Sequence, residues 1–388
     1  MKNLNMLKRV RYYLTVILAN LVGVIFLLLA LEFTVRSSWF QNLQLNGFQR
    51  YHAPDSSQQE TLNRSDFPEF PWTEVDKTPA AQWEVAGDSS DYINLEVSNH
   101  IWDGFSMHVP NQRAEVTLRS KISKQILYSQ TYSTDSMGRR LTIPVHTAPL
   151  QTFLAVAGCS FVFGDGLPDH QTLASYLQKD LPSTRVFNFG RSGGAPNTLL
   201  EALLDPHYRF FSDIEEEDGI FLYNVIDDQI PRTIGSMARL RLDPHSWNLP
   251  NFDVSGENPV HLGTFYNSRS FLFKVLTESK LAAFLGVSLP GENEEALQKT
   301  ANLIKFVKFE VLKRKPRTRF VVVMHPSARV FGTQLSRMLK ELGIEALDYS
   351  RKNIESLIPG KTLLLDGHPS HWSNQILSLM IKKDLELR

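Results

Sequence analysis

The sequence has a single cysteine, Cys159, so no disulfide can form within the chain. That leaves the compartment open, because an exported protein can lack disulfides altogether. It also has no net charge, with 41 basic residues against 41 acidic ones. No basic stretch points to nucleic acid, and no acidic tail points to a solvating segment. Internal repeats and low-complexity tracts are absent. His and Cys ligands do not cluster around the acidic pair Asp227-Asp228, so a metal site is not expected there.

Long apolar runs are scarce too, with one exception. Tyr12 to Leu31 (YYLTVILANLVGVIFLLLAL) is broken only by Thr15 and Asn20. A helix of roughly 20 such residues spans the hydrocarbon core of a bilayer. Lys2, Lys8, Arg9 and Arg11 precede it, which sets the N-terminus in the cytoplasm and the main body in an extracytoplasmic, periplasmic space. The run is longer than the core of a cleaved signal peptide, and no small-x-small site follows it. The expectation is a cytoplasmic tail over 1–11 and a transmembrane anchor over 12–35.

At 388 residues the chain is too long for one average domain. Residues 36–81 hold no sustained period and four prolines, and read as a tether. Residues 82–149 change character: short segments such as INLEV, AEVTLRS and ILYSQTYS are β-branched, aromatic and often alternating. They predict a small antiparallel β-rich unit, whose plain reading is a packing or spacer module. From 150 to 388 apolar strands alternate with helices: TFLAVAG, TRVFNFG, GIFLYNVI and RFVVVMH are strands, and ENEEALQKTANLIKFVKFEVLKR is a long helix. That alternation predicts α/β architecture, a parallel sheet covered on both faces. Functional groups in such folds collect at the carboxyl ends of the strands.

Two loops carry chemistry-bearing residues. The first strand ends Gly158-Cys159-Ser160, followed by Gly164-Asp165-Gly166. A serine on a sharp turn between strand and helix is a candidate nucleophile, and it needs a base. Asp366-Gly367-His368, ahead of the closing helix, supplies one: His368 accepts the proton, and Asp366 holds the imidazole tautomer and stabilises its charged form. The glycine-rich turn after the second strand, NFGRSGG, offers backbone N–H groups for an oxyanion. Gly190 is the choice there, with the Ser160 N–H as partner. His325 at the end of VVVMH stands on the same edge, as a pocket residue or a packed structural one. His371 sits in the first turn of the closing helix and reads as a surface or capping residue.

Together these blocks resemble the SGNH/GDSL hydrolase family over roughly 150–388. Gly158-Cys159-Ser160 stands where that family has Gly-Asp-Ser, Gly190 at its second-block glycine, and Asp366 with His368 at its final block. YSTDSMGRRL and FVFGDGLPDHQTLASYLQ add to the likeness. The resemblance implies a flavodoxin-like three-layer sandwich and hydrolysis or transfer of O-acyl groups, without metal or organic cofactor. Three departures stand out. Cys159 replaces an aspartate, and the last block is Asp-x-His. Where the family offers an oxyanion-binding asparagine, Asp227 falls, and an ionised aspartate cannot donate a hydrogen bond. Asn224, Gln229 or backbone donors are then left for that role. The implied partners are an acylated glycan or lipid substrate and, through the N-terminal helix, a membrane. A lysophospholipid or thioester substrate is the second possibility, and a glycan-binding protein of the same fold with impaired catalysis is the competing class. The oligomeric state is not legible.

Overall fold

The structure is a computed structural model that describes residues 30–32, 59–78, 95–98, 111–120, 124–146, 150–206 and 211–387. It divides into two compact units. The larger spans 53–268 and 290–388; the smaller combines 1–52 with 269–289.

Within the larger unit, a three-stranded antiparallel sheet precedes the central one, from β1 (Leu95–Ser98), β2 (Arg113–Ser120) and β3 (Ile126–Ser133). It lies within the stretch expected to be β-rich. The central sheet follows: β4 (Thr152–Gly158), β5 (Thr184–Gly190), β6 (Gly219–Val225), β7 (Thr318–Met324) and β8 (Glu345–Asp348). Its spatial order is β8-β7-β6-β4-β5, and every neighbouring pair is parallel. Counted from β4 this is the 2-1-3-4-5 order of flavodoxin-like sheets. The direction of winding reverses around β4, so the carboxyl end of β4 opens the crevice where such folds bind ligands.

The strands are nearly continuous apolar runs because both faces are covered. Phe153, Ala155, Ala157, Phe221, Tyr223, Phe320 and Val322 point into one core. There they meet α3 (Pro196–Leu204), α7 (Glu294–Arg314) and α8 (Gly332–Glu341). Leu154, Val156, Val186, Leu222, Val321 and Val323 point into the other. There they meet α2 (Leu173–Asp180) and α9 (His371–Asp384). The period-2 alternation of a pleated strand distributes these side chains between the two layers. The larger unit is thus the three-layer α/β sandwich expected.

Two features refine the sequence reading. Part of the stretch read as a tether is packed: Phe67, Phe70 and Val75 are buried in the second core, near Trp372. The β-rich unit is stapled to the sandwich rather than hung from it. Arg139 is buried, bonds Asp135 Oδ2 at 2.7 Å and pairs with Asp213. Arg140 donates to Asp169 Oδ1 and the Leu167 carbonyl, both at 2.7 Å, and lies 3.9 Å over the Tyr132 ring. Buried charges are tolerated only when paired in this way.

The smaller unit holds α5 (Phe271–Glu278) and α6 (Lys280–Phe284). Among the described residues no helix is long and apolar enough to cross a membrane. Most of the run expected to do so, residues 12–29, lies outside them.

Candidate active site

Ser160 opens α1 (Ser160–Phe163), directly after β4, with Cys159 extended at the N-cap. The hydroxyl therefore sits where an apolar strand ends and the chain turns sharply, and the residue is buried. The turn is held by tight backbone approach. A side chain on Gly190 would put its Cβ 2.1 Å from Phe163 N and 2.6 Å from Val162 C. Only glycine lets β5 come so close to α1. Asn188, on the same strand, completes the junction: its Nδ2 donates to the Val162 carbonyl at 2.9 Å, and its Oδ1 accepts from the Gly190 N–H at 2.9 Å. Because backbone atoms are in the way, Gly190→Ala is expected to destabilise the protein by about 3 kcal/mol or more, at or beyond the upper end of ordinary overpacking. Urea unfolding of the two proteins measures it.

The loop from Leu363 to Pro369 brings His368 to the same rim. Its ends pair with each other, Leu364 N–H donating to the His368 carbonyl at 2.7 Å. Gly367 makes the turn at φ 85°, a conformation other residues rarely adopt. The Asp-x-His spacing places Asp366 Oδ2 2.8 Å from His368 Nδ1, and Asp366 Oδ1 accepts the His368 backbone N–H at 3.2 Å.

The Ser160 turn and the histidine loop meet through Phe161 of α1 and the turn after it. The Phe161 ring stands edge-on to His368 at 5.6 Å and to His325 at 5.2 Å. The Asp165 N–H donates to the Ser160 carbonyl at 3.2 Å. Asp165 Oδ2 then lies 3.9 Å from His368 Nε2 and accepts the Ser192 hydroxyl at 2.7 Å. Among the described residues no hydrogen bond joins Ser160 Oγ to His368. Asp165 is the residue that sequence reasoning missed. Its flanking glycines marked a turn, but nothing in the sequence showed that its carboxylate faces the imidazole.

Two carboxylates therefore flank one half-buried imidazole. Burial acts to lower the His368 pKa, but the charge and hydrogen bond of Asp366, with Asp165 behind them, outweigh it and hold the value up to about 9. Burial likewise works to raise the Asp366 carboxyl, and the charge and hydrogen bonds of His368 outweigh it, so Asp366 stays below the usual carboxylate range. As a general base, His368 would act through its neutral imidazole. With a pKa near 9, about one molecule in a hundred holds it neutral at pH 7. Activity is therefore expected to rise with pH to a plateau above about 9. Asp165→Asn removes one upward influence, so the limb moves to lower pH and neutral-pH activity rises if Asp165 has no other role. A pH–rate profile of kcat/KM for both proteins checks it; identical limbs would rule out the Asp165 effect.

The oxyanion candidates fare unevenly. Asp227 faces the β7 side: its Oδ2 accepts the Val330 N–H at 2.8 Å and its Oδ1 the Phe331 N–H at 2.9 Å. Burial lifts its pKa to about 6 against those backbone donors, with Asp228 adding to the rise. It is spent as an acceptor. The Gly190 N–H is taken by Asn188, as above. Gln229 accepts from the Tyr223 hydroxyl at 2.8 Å and donates to the Asn224 carbonyl at 3.0 Å. Asn224 lies beside Gly158, with its Oδ1 buried and unbonded. The Ser160 N–H, first of α1, has no acceptor within its helix, as at every helix start.

Around this centre, Asp228 bonds Arg239 with both oxygens at 3.1 Å and pairs with Arg232. Arg232 reaches the Gly194 carbonyl of the glycine-rich turn at 3.3 Å. His325 is structural: its Nδ1 accepts the Ser327 N–H at 3.0 Å, and burial, with Arg329 nearby, drops its pKa to about 3. His371 begins α9, packs on Trp372 and meets the Tyr176 hydroxyl at 3.3 Å. From the β-rich unit, the Tyr132 hydroxyl accepts the Gly166 N–H at 2.6 Å. Tyr128 lies close enough to Gly166 that a Cβ there would meet its ring at 3.2 Å. Burial, then Asp165, pushes the hydroxyls of Tyr128 and Tyr132 upward, so both stay protonated. The hairpin thus walls the site, which its alternating pattern could not reveal.

No family model matches the chain, and no curated protein matches it. Among solved structures it is similar to a member of the lipolytic G-D-S-L family from Veillonella parvula DSM 2008, at 8% identity and a TM-score of 0.35, over 61% of this chain and 99% of that one. It is also similar to a putative GDSL-like lipase from Parabacteroides merdae ATCC 43184, at 10% identity and 0.36, over 63% and 100%. A third is a family two carbohydrate esterase from Clostridium thermocellum in complex with cellohexaose, at 12% and 0.33, over 70% and 75%.

Proposed function

We propose that the chain is a serine ester hydrolase of SGNH type, with Ser160 as nucleophile, His368 as general base and Asp366 as its orienting carboxylate. The observation that carries this is the 2.8 Å contact between Asp366 Oδ2 and His368 Nδ1, on the rim where the Ser160 helix begins. In the first half-reaction Ser160 Oγ bonds to the acyl carbon as its proton passes to His368 Nε2. The tetrahedral oxyanion takes the Ser160 N–H. The alcohol then leaves with the proton from His368, and an acceptor hydroxyl, of water or of a sugar, repeats the steps in reverse order.

The apolar run over 12–31 supports a membrane-anchored protein with its body outside the cytoplasm. In that setting O-acyl groups of surface glycans are the substrates proposed first, and lysophospholipids or thioesters second. One observation favours the competing reading of a binding protein with weak turnover: Asp227 and the Gly190 N–H are both engaged elsewhere, and a lost oxyanion donor costs about 10²–10³ in turnover.

Treatment of the folded protein with a fluorophosphonate, followed by peptide mapping, separates the two. One adduct on Ser160 is expected. A folded protein that takes up no probe, even at pH 9, sinks the hydrolase reading and leaves the binding one.

A further inference from the structure

We infer that the α5–α6 pair is a lipid-binding face that lies flat on the bilayer surface where the N-terminal apolar run ends. Exposure is the first observation. Phe271 is 81% exposed, and Leu272 and Leu285 are 65% each. Val275 and Leu289 are exposed too. Phe271, Leu272 and Val275 share one side of α5, since residues three to four apart on a helix are neighbours. Scattered single apolar residues are normal on a surface; a contiguous group of this kind marks an interaction site.

The second observation says what covers it. Glu32 is the first residue after the apolar run Tyr12 to Leu31. Its Oε1 accepts the Lys280 N–H at 2.8 Å, and its Oε2 accepts the Leu281 N–H at 2.9 Å and the Ser279 hydroxyl at 2.6 Å. The start of α6 is thereby tied to the residue where the run stops. Wherever that run meets a membrane, α5 and α6 are held at its boundary. Charge agrees: over 269–289, Arg269, Lys274 and Lys280 outnumber the single acid Glu278. A short apolar face with a basic border is what an interfacial helix presents to anionic headgroups, the lysine stems reaching upward past the acyl boundary. The inference rests on the reading that 12–31 enters a bilayer, but the two can fail separately.

The test uses the full chain with a nitroxide on Phe271→Cys, Leu285→Cys, Asn20→Cys or Phe309→Cys, the last being exposed on α7. The natural Cys159 is buried. In vesicles of phosphatidylethanolamine and phosphatidylglycerol, collision rates with oxygen and with a nickel chelate give the depth of each label. Labels at 271 and 285 are expected about 5–10 Å below the headgroups, with 309 in water. Labels at 271 and 285 as open to nickel as 309 overturn the face, even with label 20 deep in the bilayer. Shielding of 271 and 285 from both reagents means a protein covers them and also overturns it. Label 20 in water with 271 and 285 in lipid keeps the face and removes the anchor.

Discussion

Ser160→Ala is expected to lower kcat for any ester substrate by roughly 10⁴–10⁶, the range seen when the nucleophile of a serine triad is removed. The residue begins a helix after a strand buried on both faces, so removing one oxygen should leave the fold unchanged. The hydroxyl forms no hydrogen bond to His368 in the resting structure, and its loss orphans no buried partner. Thermal unfolding of the variant should therefore superimpose on the parent within a few degrees, while turnover and fluorophosphonate uptake vanish together. If the variant keeps a tenth of the parent's activity, the nucleophile is elsewhere and the reading of the Gly158-Cys159-Ser160 turn fails.

The second large effect is expected at Asp366. Asp366→Asn keeps the shape but removes the charge 2.8 Å from His368 Nδ1. An amide can present either an acceptor or a donor to the ring, and the donor face selects the wrong tautomer. A loss of about 10⁴ in kcat is the precedent for this change in a serine triad. The pH profile should move as well. Asp366 is the strongest upward influence on the His368 pKa, and burial, with Arg232 behind it, acts downward. The rising limb should then shift from about 9 toward or below the ordinary histidine range. Measuring kcat/KM of Asp366→Asn against pH checks both halves. Unchanged turnover with a shifted limb would mean that Asp366 sets the charge of His368 without orienting it.

The two carboxylates around His368 act at different places. Asp366 holds Nδ1 and, in the mechanism we propose, supports the proton transfer. Asp165 stands near Nε2, the nitrogen that must meet Ser160, and pairs with Ser192 of the glycine-rich turn. In the resting state it favours a protonated imidazole.

Much of this architecture was legible in the sequence because the signals are local. Uninterrupted apolar runs between amphipathic helices determine a parallel sheet buried on both faces, since no other arrangement hides both sides of such strands. The strand-to-helix serine turn and the Asp-x-His loop are written within a few residues each. What crosses between segments was not legible. That Phe67 and Phe70 pack into the core, or that Tyr128 and Tyr132 wall the site, depends on which surfaces meet. Asp227 spends its oxygens on the 330 and 331 amides because a hydrogen-bonding group binds whichever partner the fold brings nearest. Periodicity and turn chemistry decide elements; competition among distant polar groups for the same few donors is decided only when the chain has closed on itself.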